Sequence, residues 1–115
     1  MPFYQINTNL PADKIPANFA KEASALVANT LGKPENYVAV QIASGQNMTF
    51  AGSAEPCAVC VLKSIGCVGG RVNNSHAEKL FKQLNDKLGI RKDRIYVEFI
   101  DVDASTFAYN GRTFG

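Results

Sequence analysis

Residues 31–42 have the sequence LGKPENYVAVQI, and residues 88–100 have the sequence LGIRKDRIYVEFI. In each segment a Leu-Gly pair follows a helix-like stretch, and a run rich in β-branched and aromatic residues begins within about seven residues. Glycine often ends a helix because it adopts the left-handed conformation without a steric penalty. The repeat therefore predicts that both halves of the chain share one plan, a helix followed by a strand.

Helical periodicity precedes both Leu-Gly pairs, and each predicted helix has one apolar face. Asp13 is the expected N-cap of the first helix, with Pro16 in its first turn. Ser75 and Glu78 form a capping box that would begin the second helix. The apolar faces comprise Ile15, Phe19, Ala23, Leu26, Val27 and Leu31 in the first helix, and Ala77, Leu80, Phe81, Leu84 and Leu88 in the second.

A strand candidate precedes each predicted helix, at residues 3–7 and 58–65. The repeated order strand, helix, strand predicts an α/β (α+β) fold with two right-handed βαβ units. The length of the chain fits a single domain over residues 1–115. Two such units side by side give a four-stranded sheet with both helices on one face.

The other face of this sheet has no covering element, and we expect it to be apolar. An apolar open face in so small a domain predicts self-association. Short strands near residues 48–50 and 107–114 would connect neighbouring subunits. The residues assigned to the open face are Tyr4, Ile6, Val38 and Val40.

The composition of the chain excludes several classes of function. A hydrophobic fraction of 46% and a charged fraction of 19% are typical of a folded protein. A net charge of +2 is too small to indicate nucleic acid or a membrane as a partner. The start of the chain lacks a secretory signal, so we expect a cytoplasmic protein that is also secreted by an unconventional route.

Several short motifs together resemble one known family. They are Asn7-Thr8-Asn9, Gly32-Lys33-Pro34, Gly52-Ser53, Glu55-Pro56-Cys57-Ala58-Val59-Cys60, Ser64-Ile65-Gly66, Asp93-Arg94-Ile95-Tyr96 and Asn110-Gly111-Arg112-Thr113-Phe114. With them the chain resembles the macrophage migration inhibitory factor and dopachrome tautomerase family over essentially its whole length. The match is closer to the migration inhibitory factor branch than to the D-dopachrome branch, and it points to versions from invertebrate parasites.

The resemblance implies the tautomerase fold of this family, in which two βαβ repeats form a four-stranded mixed sheet with two helices on one face. It also implies a homotrimer with active sites at the subunit interfaces. The implied activity is that of a cofactor-free isomerase, a keto–enol tautomerase of phenylpyruvate-like aromatic 2-keto acids or of dopachrome. A cytokine activity through a cell-surface receptor is implied as well. No cofactor and no metal are expected.

In this resemblance Pro2 matches the catalytic general acid/base. Removal of Met1 would leave a free secondary amine, and burial together with a nearby cation would lower the pKa of that amine toward neutrality. An amine with such a pKa is effective at removing a proton next to a carbonyl group. Lys33 matches the cation that lowers this pKa and attracts the substrate carboxylate. Ser64 and Ile65 match the pocket wall near that carboxylate.

Tyr96 matches a residue of the adjacent subunit that packs against the substrate ring. The chain also departs from the family pattern, because Glu98 replaces the usual Asn two residues after this tyrosine and Lys63 replaces a common His. Glu98 is therefore a candidate substrate-binding residue that carries a negative charge where the family usually has a neutral Asn. Ala12 and Gly45 stand at the positions linked with receptor contact, which makes receptor activity less secure than catalysis.

Two alternatives to a tautomerase remain. The first is a receptor-binding cytokine whose pocket is not physiologically catalytic. The weaker one is a thiol–disulfide oxidoreductase that uses Cys57 and Cys60. Three residues of extended strand span roughly 10 Å, whereas a disulfide requires Cα atoms within about 7 Å, so buried packing cysteines are favoured. Only Cys67 and His76 could complete a metal site, and His76 is expected to be solvated at a helix start.

Overall fold

The computed structural model describes all 115 residues. The elements are β1 (Pro2–Thr8), α1 (Phe19–Leu31), β2 (Ala39–Ala43), β3 (Ala58–Ser64), α2 (Val72–Leu88), β4 (Ile95–Asp101), β5 (Ala108–Tyr109) and β6 (Arg112–Thr113). Short 3-10 turns lie at Ala12–Lys14, Glu35–Tyr37, Lys92–Arg94 and Ala104–Thr106.

The four main strands form one mixed sheet in the order β2-β1-β3-β4. The pairs β1–β2 and β3–β4 are parallel, and the central pair β1–β3 is antiparallel. Each parallel pair is joined through one helix, as a βαβ crossover requires. The predicted fold class, the two repeats and the four-stranded sheet are therefore confirmed.

The hydrophobic core lies between one face of the sheet and the two helices. Tyr4 and Ile6 on β1 are fully buried there, and Val38 and Val40 pack against the same core. Our assignment of these four residues to the open face is wrong by one register position, which moves every side chain to the opposite face. On β1 the alternate positions are only half-buried, and they are Phe3, Gln5 and Asn7. The open face is consequently mixed in polarity.

Helix α1 begins at Phe19, six residues after the predicted cap Asp13. Asp13 lies instead in a separate 3-10 turn. The reason is Pro16, because the residue before a proline is disfavoured in the helical conformation. Ile15 accordingly is extended, with φ −94° and ψ 117°. The prediction that one helix runs through Pro16 is wrong.

Helix α2 begins at Val72, a turn before the predicted capping box. Ser75 and Glu78 therefore lie inside the helix, and that prediction is also wrong. Both predicted helix ends are confirmed, because Gly32 and Gly89 are left-handed C-caps with φ 65° and 68°. Neither helix combines the length and the apolar character that crossing a membrane would demand.

The predicted short strands occur in reduced form. Near residues 48–50 the structure has one isolated bridge, between Phe50 and Ser53. In the range 107–114, strands β5 and β6 form a hairpin across Asn110 and Gly111, which both have positive φ. Such a two-residue turn favours Asn-Gly because both positions are left-handed. That these strands connect subunits remains a prediction.

Candidate active site

The start of the chain lies at the end of the central strand pair. Pro2 is the first residue of β1 and pairs with Ser64, the last residue of the antiparallel β3. Both residues are fully buried. The backbone amide of Ile65 donates to the carbonyl oxygen of Met1 at 3.5 Å. The antiparallel pairing therefore brings Pro2, Ser64 and Ile65 together, although more than 60 residues separate them along the chain.

Lys33 reaches the same point from the end of α1. It follows the left-handed Gly32, which turns the chain out of the helix. The Lys33 Nζ donates a hydrogen bond of 2.9 Å to the carbonyl oxygen of Ile65. This bond fixes the cation beside the start of β1, so Lys33 does more than balance the helix dipole. Two ammonium hydrogens remain for another acceptor.

The electrostatics of this corner favour an unprotonated amine at the chain terminus. Burial lowers the pKa of the Met1 amine, and the Lys33 ammonium lowers it further. The charge of Cys67 raises the same pKa, but the net shift is downward. Removal of Met1 would move the amine by one residue, to the nitrogen of Pro2, within the same surroundings.

An apolar cavity of about 430 Å³ opens beside the start of β1. Nine of its eleven lining residues are hydrophobic, and they come from β1, the β2 entry and the C-terminal segment. The lining consists of Met1, Pro2, Phe3, Asn36, Tyr37, Val38, Ala39, Phe107, Ala108, Tyr109 and Phe114. A larger groove of about 520 Å³ along α2 is open, is lined by four polar and two hydrophobic residues and does not include the chain terminus, so it is the weaker candidate.

Three aromatic rings form one wall of the cavity. The Tyr37 ring meets the rings of Tyr109 and Phe114 edge-on, with centroids 5.3 and 6.0 Å apart. Tyr109 and Phe114 are stacked at 6.0 Å. This wall was not predicted from the sequence. The sequence does show aromatic residues at positions 107, 109 and 114. Only the folded hairpin, however, places Tyr109 and Phe114 against Tyr37.

Tyr96 and Glu98 do not join the other candidates within one chain. Tyr96 pairs with Val59, five residues before Ser64 on β3, a separation of about 16 Å along the strand. Its side chain is 66% exposed on the open face and packs against the Phe50 ring at 4.8 Å. Glu98 lies two residues further on and is also exposed. The structure thus brings together Pro2, Lys33, Ser64 and Ile65 but not this pair.

The three cysteines are free. Cys60 on β3 and Cys57, just before that strand, are both fully buried. Burial raises the pKa of Cys60 to about 12, so its thiol stays protonated and unreactive at neutral pH. Cys67 is exposed beside the chain terminus. These surroundings are those of packing cysteines rather than of a reactive pair.

His76 is buried, against the expectation that it is solvated. Only 5% of the residue is exposed, and Nε2 lies 2.8 Å from the carbonyl oxygen of Cys67. The error follows from the misplaced helix start, since His76 occupies the second turn of α2 on its buried side. No group of three or more His, Cys, Asp or Glu side chains is arranged to hold a metal ion.

The sequence profile of the family described as macrophage migration inhibitory factor (MIF) matches residues 1–115. A macrophage migration inhibitory factor homologue from Brugia malayi is 59% identical over 115 residues, covering 100% of each chain. The structure is similar to that of the factor from Trichinella spiralis, with TM-score 0.96, 43% identity and coverage of 97% of this chain and 99% of the other. The Prochlorococcus marinus homologue gives TM-score 0.90, 37% identity and coverage of 98% and 99%.

Proposed function

This chain belongs to the macrophage migration inhibitory factor family, and we propose that it is a cofactor-free keto–enol tautomerase with the Pro2 amine as its general acid/base. Family membership supports a cytokine-like or tautomerase function in general, and an isomerase as the class of enzyme. The substrates we propose are small aromatic 2-keto acids such as phenylpyruvate, and dopachrome-like compounds.

The observation that carries this proposal is the position of the Lys33 ammonium beside a chain terminus that lines an apolar cavity. Lys33, Ser64 and Ile65 are not themselves among the residues that line this cavity. The Lys33 ammonium is held 2.9 Å from the Ile65 carbonyl oxygen, and Ile65 is hydrogen-bonded to Met1. The terminal amine has a lowered pKa in these surroundings. Such an amine is a suitable base at neutral pH, since a proton acceptor works best when its pKa is near the ambient pH.

The proposed step moves one proton. The free Pro2 amine removes a proton from the carbon next to the keto group, and the electron pair of that C–H bond shifts to form the enolate. The Pro2 ammonium then gives that proton to the enolate oxygen, which yields the enol and regenerates the free amine, and the reverse sequence restores the keto form. No electrons leave the substrate, so the reaction requires no redox cofactor. A cation near the enolate stabilises the charge that develops there.

The shape of the cavity suggests how a substrate is oriented. Its aromatic wall fits a planar ring, and ring pairs of this kind prefer edge-on or offset contacts. The Lys33 ammonium would bind the carboxylate next to the chain terminus, beside Ser64 and Ile65. The reacting carbon, which lies between ring and carboxylate, would then face Pro2.

We further propose a homotrimer in which a neighbouring subunit supplies Tyr96 and Glu98 to each cavity. Both side chains are exposed on the open face of the sheet, and Tyr96 is too far from Ser64 to reach the cavity of its own chain. Tyrosine exposed to this degree beside the apolar ring of Phe50 is typical of an interface. Covering the open face would bury these residues.

The test of the general base is a protein in which the Pro2 nitrogen is an amide. Retaining Met1, or inserting one alanine between Met1 and Pro2, removes the basicity of that nitrogen. Phenylpyruvate turnover should fall by about 10²- to 10⁴-fold, the usual contribution of a general base. The Met-free protein is the reference, and Pro2→Gly is the matched control because it keeps a free amine.

Mass spectrometry must establish the N-terminus of each sample, and sedimentation its oligomeric state. Unchanged turnover in a sample that fully retains Met1 would exclude Pro2 as the base. An active monomer would exclude the shared site and the role of Tyr96, while leaving the role of Pro2 intact.

A further inference from the structure

Residues 65–70 form a loop, here the 65–70 loop, whose backbone conformation is unusual. Gly66, Cys67, Gly69 and Gly70 all have positive φ, of 75°, 64°, 122° and 61°. Cys67 is the only one of these with a side chain, and a residue other than glycine adopts this region only when its surroundings hold it there. The loop therefore depends on contacts from outside itself.

Three side chains from neighbouring elements supply those contacts. Asp101 on β4 accepts a hydrogen bond from the Gly66 amide at 2.9 Å. On α2, Asn73 accepts one from the Gly69 amide at 2.8 Å. His76 lies with Nε2 at 2.8 Å from the carbonyl oxygen of Cys67, at the centre of the loop. Asp101 is exposed and Asn73 is half-buried, whereas His76 is buried.

The position of His76 is itself tightly determined. Its ring lies 6.2 Å from that of Phe99 on β4, and the helix that carries it is packed into the core through Leu80 and Leu84. Its only hydrogen-bond partner is the Cys67 carbonyl, so Nε2 carries a hydrogen and donates to that oxygen. A buried ring on a packed helix thus gives the loop a rigid anchor.

We propose that His76 is a positioning residue for the candidate active site: by holding the Cys67 carbonyl it fixes the 65–70 loop, and with it the Ile65 carbonyl that orients Lys33. The effect on catalysis rests on the function proposed above. The effect on the geometry does not, because it follows from two hydrogen bonds, His76 to Cys67 and Lys33 to Ile65.

The charged groups around this loop decide the direction of the expected effect. They are the Lys33 ammonium at the end of α1, the Cys67 thiol on the loop, the Asp101 carboxylate on β4 and the terminal amine. Burial and the Lys33 ammonium lower the pKa of that amine, and Cys67 opposes them. A loosened loop lets the ammonium move away, so the pKa of the amine should rise.

The test compares three variants of the Met-free protein. His76→Phe keeps a buried ring but removes the donor, and His76→Gln places an N–H group near the position of Nε2. Asn85→Ala is the matched control, because Asn85 also lies on α2 and donates to a backbone carbonyl, that of Ile90 at 3.0 Å, at the other end of the helix. The pKa of the Pro2 amine is measured by NMR titration, independently of turnover.

We expect His76→Phe to raise this pKa by up to about one pH unit, and His76→Gln to restore most of the change. The acid limb of the kcat/KM profile for phenylpyruvate should move by the same amount. Asn85→Ala should lower the melting temperature and leave the titration unchanged. An identical titration in His76→Phe and the parent protein would overturn the proposal.

A replacement variant and a second measurement cover the case in which His76→Phe does not fold. If His76→Phe does not fold, His76→Leu takes its place, and hydrogen exchange of the loop amides is read as well. Faster exchange confined to residues 65–70 supports the proposal, and unchanged exchange contradicts it. If the Met-retaining protein keeps full turnover, the proposed base is wrong, yet the amine titration still decides the role of His76.

Discussion

The two βαβ halves share a backbone plan but differ in the residue that follows each helix. Gly32 and Gly89 end the helices in the same left-handed conformation. The next residue in the first half is Lys33, whose ammonium reaches the Ile65 carbonyl at the candidate site. In the second half it is Ile90, which is fully buried in the core. One backbone position thus serves the site in one half and the core in the other.

The 3-10 turns that follow show the same division. Glu35–Tyr37 ends with Tyr37, which lines the cavity, whereas Lys92–Arg94 ends with Arg94, which is only 8% exposed. The backbone repeat therefore does not determine which half carries the chemistry. The guanidinium of Arg94 donates instead to the carbonyl oxygens of Phe50, Ser53, Glu55 and Pro56.

The largest effect on stability should come from Arg94. Replacing it with Met removes a buried charged donor from four carbonyl groups, of which those of Phe50, Ser53 and Glu55 keep one other donor. We expect the free energy of unfolding to fall by about 4 kcal/mol. Tyr37→Phe, at the equivalent position of the first half, should cost less than about 1 kcal/mol. Urea unfolding at one fixed protein concentration measures both changes. Equal losses would mean that the two turns do not differ in role.

Ile90 and Lys33 make the second comparison. Ile90→Ala removes a fully buried side chain and should cost about 3 kcal/mol, because it leaves a cavity in the core. Lys33→Ala should cost less than about 1 kcal/mol, since this lysine is only half-buried. Thermal and urea unfolding give both values. A Lys33 variant as unstable as the Ile90 variant would show that Lys33 is mainly structural.

Lys33 should instead control the pH dependence of turnover. Burial lowers the pKa of the terminal amine and the Lys33 ammonium lowers it further, so replacing Lys33 with Met raises that pKa. A base with a higher pKa is protonated up to a higher pH, and the acid limb of kcat/KM therefore moves upward. Lys63→Met is the control, because Lys63 on β3 is not among the groups that shift the pKa of the terminal amine. Matching profiles in the two variants would argue against a specific role of Lys33.

All three cysteines lie in the second half, and their environments predict different reactivities. With a pKa of about 12, Cys60 should resist iodoacetamide in the native protein at pH 8, whereas the exposed Cys67 reacts. The unfolded chain ionises Cys60 from about pH 9 while the folded chain does not, so stability should fall between pH 9 and 12. Cys60→Ala should flatten this decline. Rapid native labelling of Cys60, or a disulfide to Cys57, would contradict its burial.

The smallest effect concerns Glu98, whose counterpart on β2 is the uncharged Gln41. If Glu98 enters a neighbouring cavity, its carboxylate stabilises the protonated Pro2 amine. Glu98→Asn should then move the acid limb downward by about half a pH unit and weaken any preference for hydroxyphenylpyruvate over phenylpyruvate. The kcat/KM of both substrates is measured against pH, with Gln41→Asn as the control. Superimposable pH profiles of the Glu98→Asn variant and the parent protein would show that Glu98 is not part of the active site.

Local sequence signals predicted the elements well and their starting points poorly. The two Leu-Gly pairs located both helix ends, because a left-handed glycine is a strong local signal. Ser75 is part of a good capping box, yet α2 begins a turn earlier. The burial of His76 was missed for the same reason. A capping motif indicates only that a residue is able to begin a helix, whereas the packing of the helix against the core decides which residue does begin it.

By itself the sequence determined the two βαβ repeats, the end of each helix and, through the motifs around Pro2, Lys33 and Ser64, the family and the candidates for its site. Only the tertiary structure decided which sheet face is open, that aromatic residues of the C-terminal hairpin meet Tyr37, and that Tyr96 lies far from Pro2 in its own chain. Periodicity and turns are properties of neighbouring residues. A cavity, by contrast, depends on strand register and on contacts between residues far apart in the chain, which no local pattern encodes.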